Sequence, residues 1–296
     1  MNAPSELTAA DLPTLFSASD SASLSGQRRY IFGTRWRLVL SVAVAVVAAF
    51  TFKPARGVDV TAIASAIFFL LTLIIEVWLL IENPEKAWYD GRALAESVKT
   101  LAWRYAVAAE PFPKSLGNAV AADRFHSELQ ALLRDAPADS LAPVGSALAT
   151  DRMQQLRRAR LEERKHVYLR DRIENQQGWY TSKAKFNAHG SRKWRIALIA
   201  IELAGVTAAV LRVTGAINFD LPGIMAGMVG AGAAWFAVRQ YESLARAYTF
   251  AATELTIVHG RLQRARDEMT WAQEVADAEE AISREHTMWR ASRGAL

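Results

Sequence analysis

The sequence contains no cysteine among its 296 residues, which excludes a disulfide framework, a thiolate zinc site and a cysteine nucleophile. It also lacks a glycine-rich phosphate loop. No acid and base pair or nucleophile constellation appears, and the five histidines show no ligand spacing. We therefore expect neither a metal nor a cofactor, and we expect that the protein is not an enzyme.

Charge is nearly absent from four apolar runs, each of a length suited to crossing the hydrocarbon layer of a bilayer. The runs are residues 38–52, 60–81, 196–211 and 221–238. The third run is short, covering about 24 Å as a helix, so Trp194 and Val213 are expected to help fill the layer. The sequence predicts four transmembrane helices.

Basic residues are unevenly distributed around these runs. The net charge is +5, and Lys and Arg cluster before the first and third runs, whereas the connections at 53–59 and 212–220 contain fewer of them. This asymmetry places both termini and the middle segment in the cytoplasm. It accounts for the positive charge without nucleic acid binding.

The first 27 residues are rich in Ser, Ala and Asp and have no basic start. This composition argues against a cleaved signal peptide and predicts a disordered tail at residues 1–27.

An internal repeat relates the two halves of the chain. A shift of 158 residues places Arg35-Trp36-Arg37 on Lys193-Trp194-Arg195 before spans one and three, Gly57 on Gly215, and Glu96 on Glu254. Trp36 and Trp194 are predicted interfacial anchors, because an indole prefers the headgroup layer while its cationic neighbours stay in water. The alternative is that any membrane hairpin begins in this way, which leaves the equal spacing to both glutamates unexplained.

The segments that follow spans two and four are predicted to be long helices. Apolar residues recur at helical spacing after span two until Pro111, so this span is expected to continue as one helix. After span four, a 3.5-residue seam runs from Tyr241 to Ala276. Its partner helix lies either in the same chain or in another copy.

These patterns divide the chain into a tail, two similar halves and a linker rich in Pro, Ala and Ser. The predicted boundaries are 1–27, 28–134, 135–150 and 151–296. The predicted fold is an all-α membrane protein, with four transmembrane helices as two tandem hairpins and long cytoplasmic, coiled-coil-like helical extensions.

The segment after span two carries the pattern of a known family. Its residues are Trp88, Tyr89, Gly91, Arg92, Ala95, Glu96, Lys99, Trp103 and Tyr105. A two-span hairpin followed by this pattern resembles the SLATT family, and the second half resembles a divergent second copy. The resemblance implies a pore-forming or membrane-disrupting effector of bacterial conflict systems, with a nucleotide-signalling partner or ligand.

Two acidic residues, Glu76 and Glu202, lie within the predicted spans, where a charge is costly. One interpretation places both on an aqueous cation path. The other lets Glu76 reach the interface and lets Glu202 bond to a neighbouring helix.

Small residues line one face of span four. Gly223 and Gly227 are four residues apart, as are Ala226 and Gly230. Such a face favours close helix packing. Pore lining is the alternative, and it requires that several copies assemble.

Charged residues outside the spans also have two interpretations. Arg92 and Glu96 have the spacing of a local ion pair. Alternatively, Glu96 and Glu254 link the two extensions, through an arginine of the predicted 151–188 helix. The arginines of residues 152–172 alternate with acids, which favours a solvated face over binding of a nucleotide or lipid headgroup.

The sequence therefore predicts an oligomeric inner-membrane channel or pore-forming effector, gated from the cytoplasm, with the lipid bilayer and further copies of the chain as partners. The alternative is a non-conducting scaffold that the spans anchor to the membrane.

Overall fold

In a computed structural model, the chain is described over residues 6–54, 57–136 and 149–291, with side chains described as far as residue 283. These residues form helices and contain no strand. The α-helices are α1 Thr14–Ala48, α2 Val60–Glu82, α3 Pro84–Ala106, α4 Asn118–Asp135, α5 Asp151–Arg158, α6 Leu161–Tyr168, α7 Asn175–Val213, α8 Leu221–Arg239, α9 Tyr241–Arg264 and α10 Glu268–Ala291.

Four of the helical stretches are long and apolar enough to cross a membrane. Their apolar windows are only 17%, 0%, 6% and 6% buried within the protein, in chain order. Apolar side chains that one chain leaves uncovered suit a lipid environment, where no water penalises them. The protein is therefore an all-α membrane protein with four candidate spans, as the apolar runs predict.

The connections between paired spans share a backbone feature. Gly57 and Gly215, which the repeat aligns, have φ angles of +77° and +74°. This left-handed region favours glycine because a side chain there meets the following carbonyl. After each turn an aspartate caps the next helix: Asp59 accepts hydrogen bonds from Thr61 and Ala62, and Asp220 accepts one from Gly223.

The prediction that span two continues as a single helix is wrong. The helix α2 ends at Glu82, its C-cap Asn83 has the left-handed φ of +38°, and Pro84 begins α3. Gln240 has the same role between α8 and α9, with a φ of +48°. A residue in this conformation ends a helix because it turns the following amide away from the helical backbone hydrogen bonds.

The predicted disordered tail also requires correction. Helix α1 already begins at Thr14, and Leu15 is 1% exposed. Ser19 and Ser23 are buried as well, and Ser23 donates a hydrogen bond to the Trp88 carbonyl. These small residues let α1 pack closely, which composition alone does not indicate.

The predicted linker lies largely outside the described residues, since 137–148 are not among them. Beyond it, the single charged helix expected over 151–188 is divided. It consists of α5, α6, a π-helical turn at Leu169–Glu174 and the start of α7, which continues without a break into span three.

The seam after span four is shorter than predicted. Residues Leu255, Val258 and Leu262 of α9 are buried, but the helix ends at Arg264 and Met269 is 81% exposed. A new apolar face, which includes Trp271, begins in α10. In part the partner of α9 belongs to the same chain: Trp179 and Tyr180 of α7 contact Tyr248 at ring distances of 5.3 and 5.7 Å.

The chain divides into two compact units. The first comprises residues 1–27, 85–184 and 246–296, and the second comprises 28–84 and 185–245. The second unit contains the apolar spans, so we call it the membrane unit. The first contains α3 to α6 and α10, and we call it the charged-core unit after the buried ion pair described below.

Candidate functional site

Arginines at the start of spans one and three bind acids within the membrane unit. Arg37 donates a hydrogen bond to Glu76 of α2, and Arg195 donates one to Glu242 at the start of α9. The two arginines correspond under the 158-residue repeat. Glu76, predicted to line an ion path or to reach the interface, therefore has a cationic partner that offsets its cost in an apolar span.

Glu202 has a different environment in the same unit. It lies eight residues beyond Trp194 in α7, about 12 Å along the helix and well inside the apolar segment. Its side chain is exposed, and it makes no hydrogen bond or ion pair with any residue that the structure describes. Its neighbours Leu203 and Val206 are 64% exposed. Glu202 is thus a carboxyl group on the outer surface of the membrane unit.

The three glycines of span four that the sequence singled out have different surroundings. A side chain at Gly227 would meet Cβ of Ala45 at 2.8 Å, so this glycine lets α8 approach α1 of the same chain. At Gly223 it would meet the capping Asp220, and at Gly230 it would meet none of the described residues within 4 Å. Packing within one chain therefore explains Gly227, and Gly230 lies in open space.

The two predicted interfacial tryptophans also differ. Trp36 is 46% exposed and lies edge-on to Phe32, with ring centroids 6.2 Å apart. Trp194 is half-buried and lies beside Gly232 of α8. The repeat thus places two tryptophans at equivalent positions in sequence, and Trp194 lies against span four.

An ion pair is completely buried in the charged-core unit. Arg172, in the π-helical turn, donates two hydrogen bonds to Glu279 of α10, at 2.9 and 2.7 Å. The exposed fractions of the two side chains are 1% and 0%. Tyr168 and Thr100 each donate a further hydrogen bond to Glu279 at 2.9 Å. One carboxylate therefore links α3, the end of α6 and α10.

Electrostatics within this cluster are strong. Burial would lower the pKa of Arg172, but the charge and hydrogen bonds of Glu279 outweigh burial and raise it. Burial and the nearby Glu279 raise the pKa of the Tyr168 phenol well above its usual value of 10. Arg172 therefore stays charged and Tyr168 stays neutral at physiological pH, as their hydrogen bonds require.

The arginines at 157 and 164 are also buried, with exposed fractions of 1% and 0%. Arg157 donates hydrogen bonds to the carbonyls of Tyr105, Phe112 and Pro113, and Arg164 donates one to Val107 and pairs with Glu268. They satisfy carbonyls at and beyond the C-terminal end of α3, which lack helical partners. The predicted solvated face is wrong for these arginines and for Arg172.

The predicted link between the extensions does include an arginine, but the acid that binds this arginine is not one of the predicted acids. Glu96, four residues after Arg92 on α3, lies close enough to Arg172 to help raise its pKa. The carboxylate that binds Arg172 is Glu279, not Glu254, which lies instead beside Arg261 in a crevice between α9 and α10. Sequence reasoning missed Glu279, although its position between Val275 and Ile282 marks a charge on an apolar helix face.

Two consecutive hairpins that are long and apolar enough to span a bilayer define an all-α membrane protein built from a repeated two-span domain. Residues 13–165 match the family described as "SMODS and SLOG-associating 2TM effector domain 3", and residues 168–289 match "SMODS and SLOG-associating 2TM effector domain 1". The chain belongs to the SLATT family and contains two copies in tandem. No curated protein and no solved structure matches the chain significantly.

The family matches meet between residues 165 and 168. The first copy therefore includes α5 and most of α6, which lie in the second half under the boundaries predicted from the repeat and the linker. The family description makes the chain a membrane effector.

Proposed function

We propose that this protein is a bacterial inner-membrane effector whose copies assemble into an ion-conducting pore, which dissipates the ion gradient of the cell. The observation that carries the proposal is Glu202, the carboxyl group on the outer surface of the apolar spans. The effector description of both matched domains supports the same function.

An exposed carboxylate in the hydrocarbon layer is unfavourable by roughly 2.5 to 3.5 kcal/mol. Arg37 relieves this cost for Glu76, but no described residue does so for Glu202. Contact with water relieves it when several copies surround an aqueous path that Glu202 lines. A carboxylate there replaces part of the hydration of a cation, so the pore would prefer cations.

The charged-core unit is the proposed gating element. Gating requires two arrangements and a partner or ligand that binds one of them more tightly. The Glu279 cluster joins three helical segments through four hydrogen bonds, so these segments would move together. A nucleotide-signalling partner or ligand is the proposed trigger, from the family description of association with SMODS and SLOG proteins.

Ion flux from liposomes tests the pore directly. Purified protein is reconstituted with a cation-sensitive dye, and flux and reversal potentials are measured for the wild type, Glu202→Gln and Glu163→Gln. Glu163 is an exposed acid of α6 outside the spans, so its variant controls for the loss of one negative charge.

We expect cation flux from the wild type and from Glu163→Gln, and a reduced preference for cations over anions in Glu202→Gln. Unchanged reversal potentials in Glu202→Gln would remove this residue from the path. No flux from the wild type under any condition would favour the non-conducting scaffold instead.

A further inference from the structure

A groove of about 620 Å³ opens within the membrane unit, bordered by spans one, three and four. Arg35, Trp194 and Trp235 line one end, and Val42, Ile201 and Met228 line the other. Seven helical residues separate the ends on each of the three helices, about 10 Å of depth. The groove thus changes along its length from a cation beside two indoles to an entirely apolar end.

The cationic end of the groove contains a guanidinium that has no partner among the residues that the structure describes. Arg35 is exposed and makes no hydrogen bond or ion pair with the residues that the structure describes. By contrast Arg37, two residues later, binds Glu76, and Arg195 binds Glu242. Arg35 is therefore available to an anion from outside the protein.

A second cation lies beside one of the tryptophans at the same end. The Arg239 guanidinium lies over the Trp235 ring at 5.8 Å and over the Tyr241 ring at 5.3 Å. It also donates a hydrogen bond to the Tyr241 hydroxyl at 3.3 Å. These contacts hold Arg239 next to the groove lining and add positive charge there.

We propose that this groove binds one anionic glycerophospholipid. Its phosphate accepts hydrogen bonds from Arg35 beside Trp194 and Trp235, and an acyl chain extends along the groove to Val42 and Met228. Arginine suits this role because its planar donors match phosphate oxygens. Tryptophans belong at the headgroup level, which is where the lipid phosphate lies.

The groove suits a lipid better than a helix from a second copy. Its volume lies in the range of about 300 to 1,000 Å³ that is typical of small-ligand pockets. An apolar helix face would bury the Arg35 guanidinium without an anion, whereas a phosphate neutralises it. The lipid proposal rests on the membrane location of the spans and not on conduction.

The test compares lipids retained by the purified protein. Wild type, Arg35→Gln and Arg28→Gln are equilibrated in detergent with equal amounts of phosphatidylglycerol and phosphatidylcholine, and bound lipid is counted by native mass spectrometry. Arg28 is exposed on the same helix but does not line the groove, so its variant is the matched control. Ala231→Trp, which fills the groove from α8, is a second probe.

The wild type and Arg28→Gln should retain phosphatidylglycerol in preference to phosphatidylcholine. Arg35→Gln should lose this preference by about tenfold, the usual scale of a charge-assisted hydrogen bond. Ala231→Trp should retain less of both lipids while keeping its helical circular dichroism spectrum. Equal retention of the two lipids by the wild type, or an unchanged preference in Arg35→Gln, would overturn the proposal.

Discussion

At the scale of single residues, the decisive feature of the charged-core unit is a set of charges where an apolar core is expected. Arg157, Arg164 and Arg172 are each at most 1% exposed. Their density in sequence is evident, but their burial depends on carbonyls and carboxylates from distant segments. The sequence therefore reveals which residues are charged, and only the tertiary structure reveals which are paired and buried.

The buried pair predicts a large effect of one substitution. Glu279→Ala would leave Arg172 charged and without its carboxylate in the core, so we expect the free energy of unfolding to fall by about 3 to 5 kcal/mol. Asp277→Ala is the control, because Asp277 pairs with Arg261 on the surface, where a pair contributes about 0 to 1 kcal/mol.

Thermal unfolding in detergent, followed by circular dichroism, distinguishes these two variants. The midpoint of Glu279→Ala should fall far below that of Asp277→Ala. Similar midpoints would mean that the buried pair contributes no more than a surface pair.

At the scale of helices, the apolar spans are predictable and the helix ends are less so. The run at residues 60–81 becomes α2, and the run at 221–238 becomes α8, because hydropathy is a local property of the chain. The break between α2 and α3 falls at Asn83, which has a left-handed φ and is followed by Pro84. The early start of α1 depends on its packing against α3. The buried serines at this contact are not hydrophobic, so hydropathy does not predict the packing.

Helix α1 packs closely on α3 at Gly91, one of the residues on which the family resemblance depends. A Cβ atom there would lie 2.8 Å from the Ser23 nitrogen and 3.0 Å from the Ser19 oxygen. Because these are backbone atoms of a helix, they cannot move aside as a side chain can. We expect Gly91→Ala to lower stability by about 1 to 3 kcal/mol.

Gly178→Ala makes the same chemical change, but here we expect the stability to increase. Gly178 lies within α7, and a Cβ atom there would meet no atom of the described part of the chain within 4 Å. Alanine should therefore stabilise this helix by about 0.5 to 1 kcal/mol. Unfolding midpoints of the two variants should lie on opposite sides of the wild type, and a destabilised Gly178→Ala would contradict this explanation.

At the scale of the whole molecule, two related hairpins are long and apolar enough to cross the membrane, and the polar segments are long. The sequence predicts this organisation and the family, because both depend on apolar runs and on a repeat that the chain itself contains. The proposed pore adds an orientation, with the turns near Gly57 and Gly215 outside and the remaining polar segments in the cytoplasm.

The absence of native cysteine makes that orientation directly measurable, because each introduced cysteine is the only thiol in the chain. Single variants Val58→Cys and Ala216→Cys probe the two turns, and Ser127→Cys and Ser182→Cys probe α4 and the start of α7. Intact spheroplasts are treated with a membrane-impermeant maleimide, and lysed cells serve as the reference for full labelling.

We predict labelling of Val58→Cys and Ala216→Cys in intact spheroplasts, and labelling of Ser127→Cys and Ser182→Cys only after lysis. External labelling at Ser127 or Ser182, or protection of either turn, would contradict two hairpins that cross the membrane from the cytoplasm and the pore proposed from them.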